Sequence, residues 1–146
     1  MPDEISDGAL TDELAGLIEN LHTPGYGPVA SGVQKALEGS VDEFEDLLAR
    51  HLLHEEQVLF PALREAAPEQ AQSLSDLSGE HRDLRRKALE LARSVKTEDR
   101  AAAWAMGREF LADLFAHVHR EEAVTGRIRA GLTAAAALRF KARLAR

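Results

Sequence analysis

Two short stretches of the chain repeat one pattern of histidine and glutamate. Residues 51–56 read HLLHEE and residues 117–122 read HVHREE, so both fit His-x-x-x-Glu-Glu. On a helix, Glu55 and Glu121 would each share a face with the histidine four residues earlier, about 6 Å away along the axis. Burying such a carboxylate without a partner costs on the order of several kcal/mol, and a second one nearby adds to that cost. The repeated pattern therefore predicts a cation between the two glutamates.

Each helical block contributes one histidine to the candidate site: His22, His51, His81 and His117. His51, His81 and His117 fall on apolar stripes, and the chain has no cysteine. Imidazole and carboxylate without thiolate suit iron, manganese or zinc. Two ions fit better than one, because each ion takes two histidines while each glutamate bridges both, and positions stay open for a solvent-derived bridge and a small external ligand. The predicted metal ligands are His22, His51, Glu55, His81, His117 and Glu121.

A core without metal is the alternative interpretation. A single buried histidine is usually satisfied by ordinary hydrogen bonds, and Arg85, one turn after His81, could pair with a buried glutamate. The occurrence of the pattern on two blocks favours metal over this ion-pair core. Four neighbouring polar residues are rotated off the stripes. His54 and His119 are expected on the flank or the surface, and Glu56 and Glu122 are expected in solvent.

Glycine and proline divide the chain into blocks of helical length, and we find no strand-like alternation. After a less regular first block, the second is expected to begin at a capping box of Ser40 and Glu43 and to bend near Pro61. The third block opens with Pro68 and the fourth with Thr97 as its N-cap. Amphipathic blocks joined by short turns predict an all-α fold, an antiparallel up-down-up-down four-helix bundle.

Charge is distributed unevenly along the chain. The last 24 residues carry +6 and the preceding 122 carry −13. We expect one domain over residues 1–146, with the bundle at about 11–125 and an additional basic C-terminal helix at about 130–146 that docks on the acidic body. A helix that binds a membrane surface or a protein partner is the alternative for this segment.

The overall composition excludes several classes of protein. A net charge of −7 argues against nucleic-acid binding. No apolar run approaches the roughly 20 residues of a membrane span, and the N-terminus lacks the features of a signal peptide. The expected location is therefore the cytoplasm.

These motifs resemble the hemerythrin-like (HHE cation-binding) family over about residues 11–125. The resemblance rests on His22, on HLLHEEQVLFP at residues 51–61, on EHRDL around His81 and on HVHREE. It implies a bundle that holds a non-heme centre of two iron ions with an oxo or hydroxo bridge. The metal-binding roles of the family fall on the six residues predicted above.

Two positions depart from the oxygen-carrying hemerythrins. Those proteins have a further histidine where this chain has Arg85, and an aspartate at the position of Glu122. Four histidines with two glutamates are more similar to bacterial hemerythrin-like proteins linked with peroxide breakdown, nitric-oxide or oxygen chemistry, and iron handling. Tyr26 could take over part of the role of the missing histidine, as a phenolate ligand or a hydrogen-bond donor. Alternatively, it packs over the bundle without a role at the metal. Its placement depends on whether TPGYGP kinks or ends the first helix, and both remain open.

The resemblance leads us to expect that the protein decomposes hydrogen peroxide at a di-iron centre. Reversible binding or sensing of oxygen or nitric oxide is one alternative, and iron storage or donation is another. In the first two cases the partner is a small molecule. A protein partner could also bind through the basic C-terminal helix.

Overall fold

The computed structural model describes residues 6–22, 27–97 and 99–145, without the side chains of residues 22 and 27–31, and all regular structure in these segments is helical. These segments contain six α-helices, a π-helix at Glu55–Leu59 and a 3-10 turn at Pro68–Gln70. The α-helices are α1 (Asp7–His22), α2 (Gly27–His54), α3 (Phe60–Ala66), α4 (Ala71–Lys96), α5 (Arg100–Gly131) and α6 (Ala134–Leu144).

Four long helices form the bundle. Helix α1 packs on α2 and α5, and α4 packs on α2 and α5. Phe44 of α2 and Phe110 of α5 meet edge to face at the centre, with ring centroids 6.0 Å apart. The all-α helical bundle predicted from the sequence is confirmed, whereas its antiparallel order stays a prediction. The surrounding buried side chains include Leu10, Leu14, Leu37, Val41, Leu48, Leu84, Leu91 and Leu114.

Helices α1 and α5 approach closely at a glycine. A Cβ atom built on Gly107 would lie 3.0 Å from Cγ1 of Ile18. That separation is tighter than ordinary van der Waals contact, so a hydrogen at this position lets the two helices meet at their observed spacing.

The predicted start of the second block was wrong. Helix α2 runs without interruption through Gly39 and Ser40, both exposed. One glycine in a helix costs about 1 kcal/mol relative to alanine. Burial of Leu37 and Val41 on either side contributes about 1.5–3 kcal/mol each, so packing outweighs the local signal for a helix start.

The predicted N-cap of the fourth block was also wrong. Thr97 ends α4, where its hydroxyl donates to the carbonyl of Ser94 at 2.7 Å. The N-cap of α5 is Asp99, whose carboxylate accepts a hydrogen bond from the amide of Ala102 at 3.0 Å. Aspartate is the stronger N-cap of the two residues, which explains why the helix begins two residues later.

A π-helix replaces the regular helix just before Pro61. The amide of Phe60 bonds the carbonyl of Glu55, five residues earlier, instead of one four residues earlier. Pro61 lacks an amide hydrogen, and in an α-helix its ring would crowd the carbonyl of Gln57. The wider turn lies across that carbonyl and accommodates the ring. It also shifts the buried stripe, so that Val58 is only half-buried.

The basic C-terminal helix docks on the body of the protein, as expected. Helix α6 packs against α3, and Phe140 joins a second apolar cluster that includes Phe60 and Leu63. Arg143 forms an ion pair with Glu65. None of the described helices is both long and apolar enough to cross a membrane.

Candidate metal centre

Four buried polar side chains from three elements meet inside the bundle. Glu55 begins the π-helix, His81 lies in the middle of α4, and His117 and Glu121 lie one turn apart on α5. One ligand atom of each lies within 4.8 Å of the others, and we call these four residues the inner group. Nε2 of His81 is 3.6 Å from Oε1 of Glu55, and Nε2 of His117 is 3.4 Å from Oε2 of Glu121.

A second group adjoins the first. Asp7, His51 and Glu55 also bring their ligand atoms within 4.8 Å of one another, and we call them the outer group. Nε2 of His51 is 2.6 Å from Oδ1 of Asp7 and 3.4 Å from Oε1 of Glu55. Glu55 therefore belongs to both groups, and its carboxylate lies between them.

Each inner histidine is held from behind by a glutamate of a neighbouring element. Nδ1 of His81 lies 3.0 Å from Oε1 of Glu56, whose other oxygen accepts a hydrogen bond from Arg85 at 2.8 Å. Nδ1 of His117 lies 2.8 Å from Oε1 of Glu80. Glu80 in turn accepts hydrogen bonds from Arg120, the closest at 2.8 Å.

These contacts determine which ring nitrogen faces the cluster. A carboxylate is an acceptor, so Nδ1 of His81 and of His117 carries the proton and donates to Glu56 and Glu80. In the neutral ring, Nε2 then presents its lone pair to the inner group. A carboxylate behind a histidine in this way is the usual arrangement for a metal ligand.

The inner group passes a test of fit for a cation. Nε2 of His81, Nε2 of His117 and Oε2 of Glu121 are buried and make no hydrogen bond with any side chain that the structure describes. Buried polar atoms are normally paired. Two imidazole nitrogens and two carboxylates converging at this spacing fit a transition-metal ion, which would satisfy all of these atoms at once.

Hydrogen bonds keep Glu56 and Glu80, the glutamates behind the inner histidines, ionised. Burial raises the pKa of Glu56, but hydrogen bonds from Arg85 and His81 outweigh it and hold that pKa below its usual range. Burial likewise opposes ionisation of Glu80, and hydrogen bonds from Arg120 and His117 lower its pKa. Both residues are therefore carboxylates at neutral pH and can accept hydrogen bonds from Nδ1 of His81 and of His117.

The two inner histidines differ in basicity. Burial dominates at His81 and lowers its pKa, although the hydrogen bond with Glu56 opposes this effect. Burial also disfavours the charged form of His117, but the nearby carboxylate of Glu121 and the hydrogen bond with Glu80 outweigh it and raise its pKa. The pKa of Glu121 is lowered because its contact with His117 outweighs burial. A negative cluster of this kind attracts positive charge.

The structure brings most of the predicted ligands together and adds a candidate from α1. Asp7 begins this helix and His22 ends it. At 1.5 Å per residue, the two backbone positions lie about 22 Å apart along the axis. The side chain of His22 lies outside the described residues, and so does Tyr26. Asp7 of α1 contacts His51 and is therefore a further candidate ligand from this helix, whereas the role predicted for His22 stays a prediction.

The expectations for the flanking residues have mixed outcomes. His119 and Glu122 are exposed and His54 is half-buried, as predicted. Glu56 was expected in solvent, and this expectation was wrong, because its side chain is only 29% exposed and contacts His81. The π-helix contributes to this difference, since it begins at Glu55 and alters the direction of the residues that follow.

Sequence reasoning missed Asp7, Glu80 and Arg120. A signal for Asp7 existed, because it precedes Leu10 by three residues and Leu14 by seven, on the buried face of α1. No comparable signal marks Glu80 or Arg120. Each lies next to or near a ligand in the sequence but off the buried stripe, where charged residues are common.

A surface pocket borders His117 on the side where Glu80 contacts its ring. It lies between α4 and α5, has a volume of about 170 Å³, and is bordered by the ion pair of Lys87 with Asp113. Glu80 and Arg120 also line it. A pocket of this size and polarity suits a small polar molecule.

Comparison with known proteins gave one finding. The model of the hemerythrin HHE cation binding domain matches residues 8–127, which include all the candidate ligands of the two groups except Asp7, one residue before the match. No curated protein and no solved structure matched the chain.

Proposed function

Because the chain belongs to the hemerythrin HHE cation-binding domain family, we propose that it holds two iron ions and acts through them on a small oxygen species. The observation that carries this proposal is the shared carboxylate of Glu55, which lies between the inner and outer groups. One ion would be held by the inner group. The second would be held by the outer group, with Glu55 as the bridge.

The chemistry that we propose is the decomposition of hydrogen peroxide, in which two molecules give two of water and one of oxygen. Two adjacent redox-active ions would supply the electron pair that reduces one peroxide to water, and would take up the pair released when a second peroxide is oxidised to oxygen. Phe60 is buried and stacks on His81 with ring centroids 5.5 Å apart, which keeps bulk water away from that ring.

Arg85 has a different role from the one suggested by the sequence. Its guanidinium pairs with Glu56 and is 42% exposed, so it supports the glutamate behind His81. The metal-free alternative required Arg85 to pair with a buried glutamate, and Glu56 is not one of the two buried glutamates. This contact therefore supports the metal centre over an ion-pair core.

The proposal is tested by iron content and peroxide consumption in one preparation. Protein reconstituted with ferrous iron without oxygen should retain two ions per chain after desalting and should release oxygen from added peroxide. His117→Ala should lose one of the two ions and the release of oxygen, whereas His119→Ala, two residues away on the exposed face, should retain both ions and the activity. Two ions with no faster peroxide loss than free iron gives would leave the metal centre intact but end the peroxide proposal. Reversible oxygen or nitric-oxide binding, or iron release, would then be the function to measure.

A further inference from the structure

We infer that Asp7 is a metal ligand of the outer group, so that α1 contributes a carboxylate to this centre. The inference rests on the proposed two-ion function and names the ligand set of its second ion. That set is Asp7 of α1, His51 of α2 and Glu55 of the π-helix, which give one nitrogen donor and two carboxylates.

The position of Asp7 relative to its histidine carries the inference. Glu56 and Glu80 contact Nδ1, on the side of each inner ring that faces away from the cluster. Asp7 instead contacts Nε2 of His51, the same nitrogen that faces Glu55. A carboxylate that only oriented the ring would lie behind it. Asp7 therefore lies on the metal side of His51, where a ligand belongs.

The distances in the outer group suit an ion. Two donors about 2.1 Å from a metal ion at right angles to each other lie roughly 3 Å apart. Nε2 of His51 is 2.6 Å from the Asp7 oxygen and 3.4 Å from the Glu55 oxygen, so small movements would bring both into that range. Binding an ion would displace the proton shared by Asp7 and His51.

The outer group should bind its ion more weakly than the inner group. It contains one histidine rather than two, and hard carboxylate ligands give less selectivity for transition metals. The Asp7 side chain is 23% exposed, whereas the inner ligands are almost fully buried. The second ion is therefore expected to exchange with solvent faster than the first and to be lost first to a chelator.

The test is an anaerobic titration of the metal-free full-length chain with ferrous iron, followed by iron analysis after desalting. Wild type should bind two ions in two steps. Asp7→Asn, which keeps the side-chain shape but removes its charge, should bind one ion with unchanged affinity and lose the second. Asp12→Asn, on an exposed position of the same helix, should behave as wild type. Asp7→His, which restores a strong donor, should recover the second ion.

Each outcome decides whether or not Asp7 is a metal ligand. Two ions bound by Asp7→Asn with wild-type affinities would overturn the inference while leaving the proposed function standing. Failure of Asp7→His to recover the ion would assign the loss to the start of α1 instead, and the circular dichroism of the metal-free variants would show the accompanying loss of helix. Wild type that binds only one ion would overturn the inference and the two-ion proposal together.

Discussion

The two halves of the candidate metal centre are built differently, although they share Glu55. In the inner group each histidine is buried, presents Nε2 to the cluster and is held from behind by a glutamate that an arginine secures. In the outer group His51 faces Asp7, a partly exposed residue at the first position of a helix. The first half is organised before any ion arrives, whereas the second needs the ion to bring its donors into position. Affinity should follow that difference.

The largest effect is expected from the residue that belongs to both halves. Glu55→Gln keeps the size of the side chain but removes the shared charge, so both ions should be lost. Iron analysis and thermal unfolding should then give the same result for this variant with and without added iron. Glu122→Gln, exposed on α5, is the matched control and should bind two ions. Retention of one ion in Glu55→Gln would show that the halves are independent.

Changes confined to the inner group should cost one ion and most of the stabilisation by metal. His81→Ala should abolish the high-affinity step, because Nε2 of this ring faces the centre of the group. An ion present at a hundred times its Kd stabilises the folded state by about 2.7 kcal/mol. The increase in melting temperature on adding iron should therefore shrink in His81→Ala and stay at the wild-type value in His119→Ala. Equal increases in all three proteins would place the tight site elsewhere.

The glutamate at position 121, rather than 122, should be the ligand on α5. Glu121 is buried and lies 3.4 Å from Nε2 of His117, whereas Glu122 is exposed. Glu121→Gln is expected to lower iron content by one ion and Glu122→Gln to leave it unchanged. Iron analysis of the two variants side by side checks this, and equal losses would contradict it.

A smaller effect is expected from the glutamates behind the inner histidines. Removing such a partner typically weakens metal binding about 10–100-fold. Glu80→Gln should weaken the inner step by that amount, because the neutral amide is a poorer acceptor for Nδ1 of His117, and should leave the outer step unchanged. Calorimetric titration measures the two steps separately, with Glu109→Gln on the exposed face of α5 as control. A selective loss of the outer step would reverse the assignment of the two halves.

The smallest change is expected from Tyr26, which lies outside the described residues. Tyr26→Phe should leave the iron content at two ions per chain. If the phenol binds iron, a visible charge-transfer band should disappear, and if it donates a proton, the rate of peroxide consumption should fall. A variant with the wild-type spectrum and rate would leave Tyr26 as a packing residue.

The sequence alone was sufficient where one helix decides the outcome. One set of residues in α4 follows a spacing of three and four residues, and every member is buried: Leu74, Leu77, His81, Leu84, Ala88, Leu91 and Val95. Burial follows from a spacing of three and four residues, which any amphipathic helix obeys. For the same reason His81, His117 and Glu121 could be identified as polar residues at positions where apolar ones are expected.

Tertiary structure decided everything that depends on two elements meeting. The contact of Asp7 with His51 joins residues 44 positions apart, and that of Glu80 with His117 joins residues 37 positions apart. Spacing within one helix carries no information about which end of α1 lies beside His51, so the contribution of Asp7 was missed. The π-helix before Pro61 likewise required the packed environment that turns Glu55 and Glu56 toward His81. Local periodicity determines which side of a helix is buried, but only the packing of helices determines which buried groups share one ion.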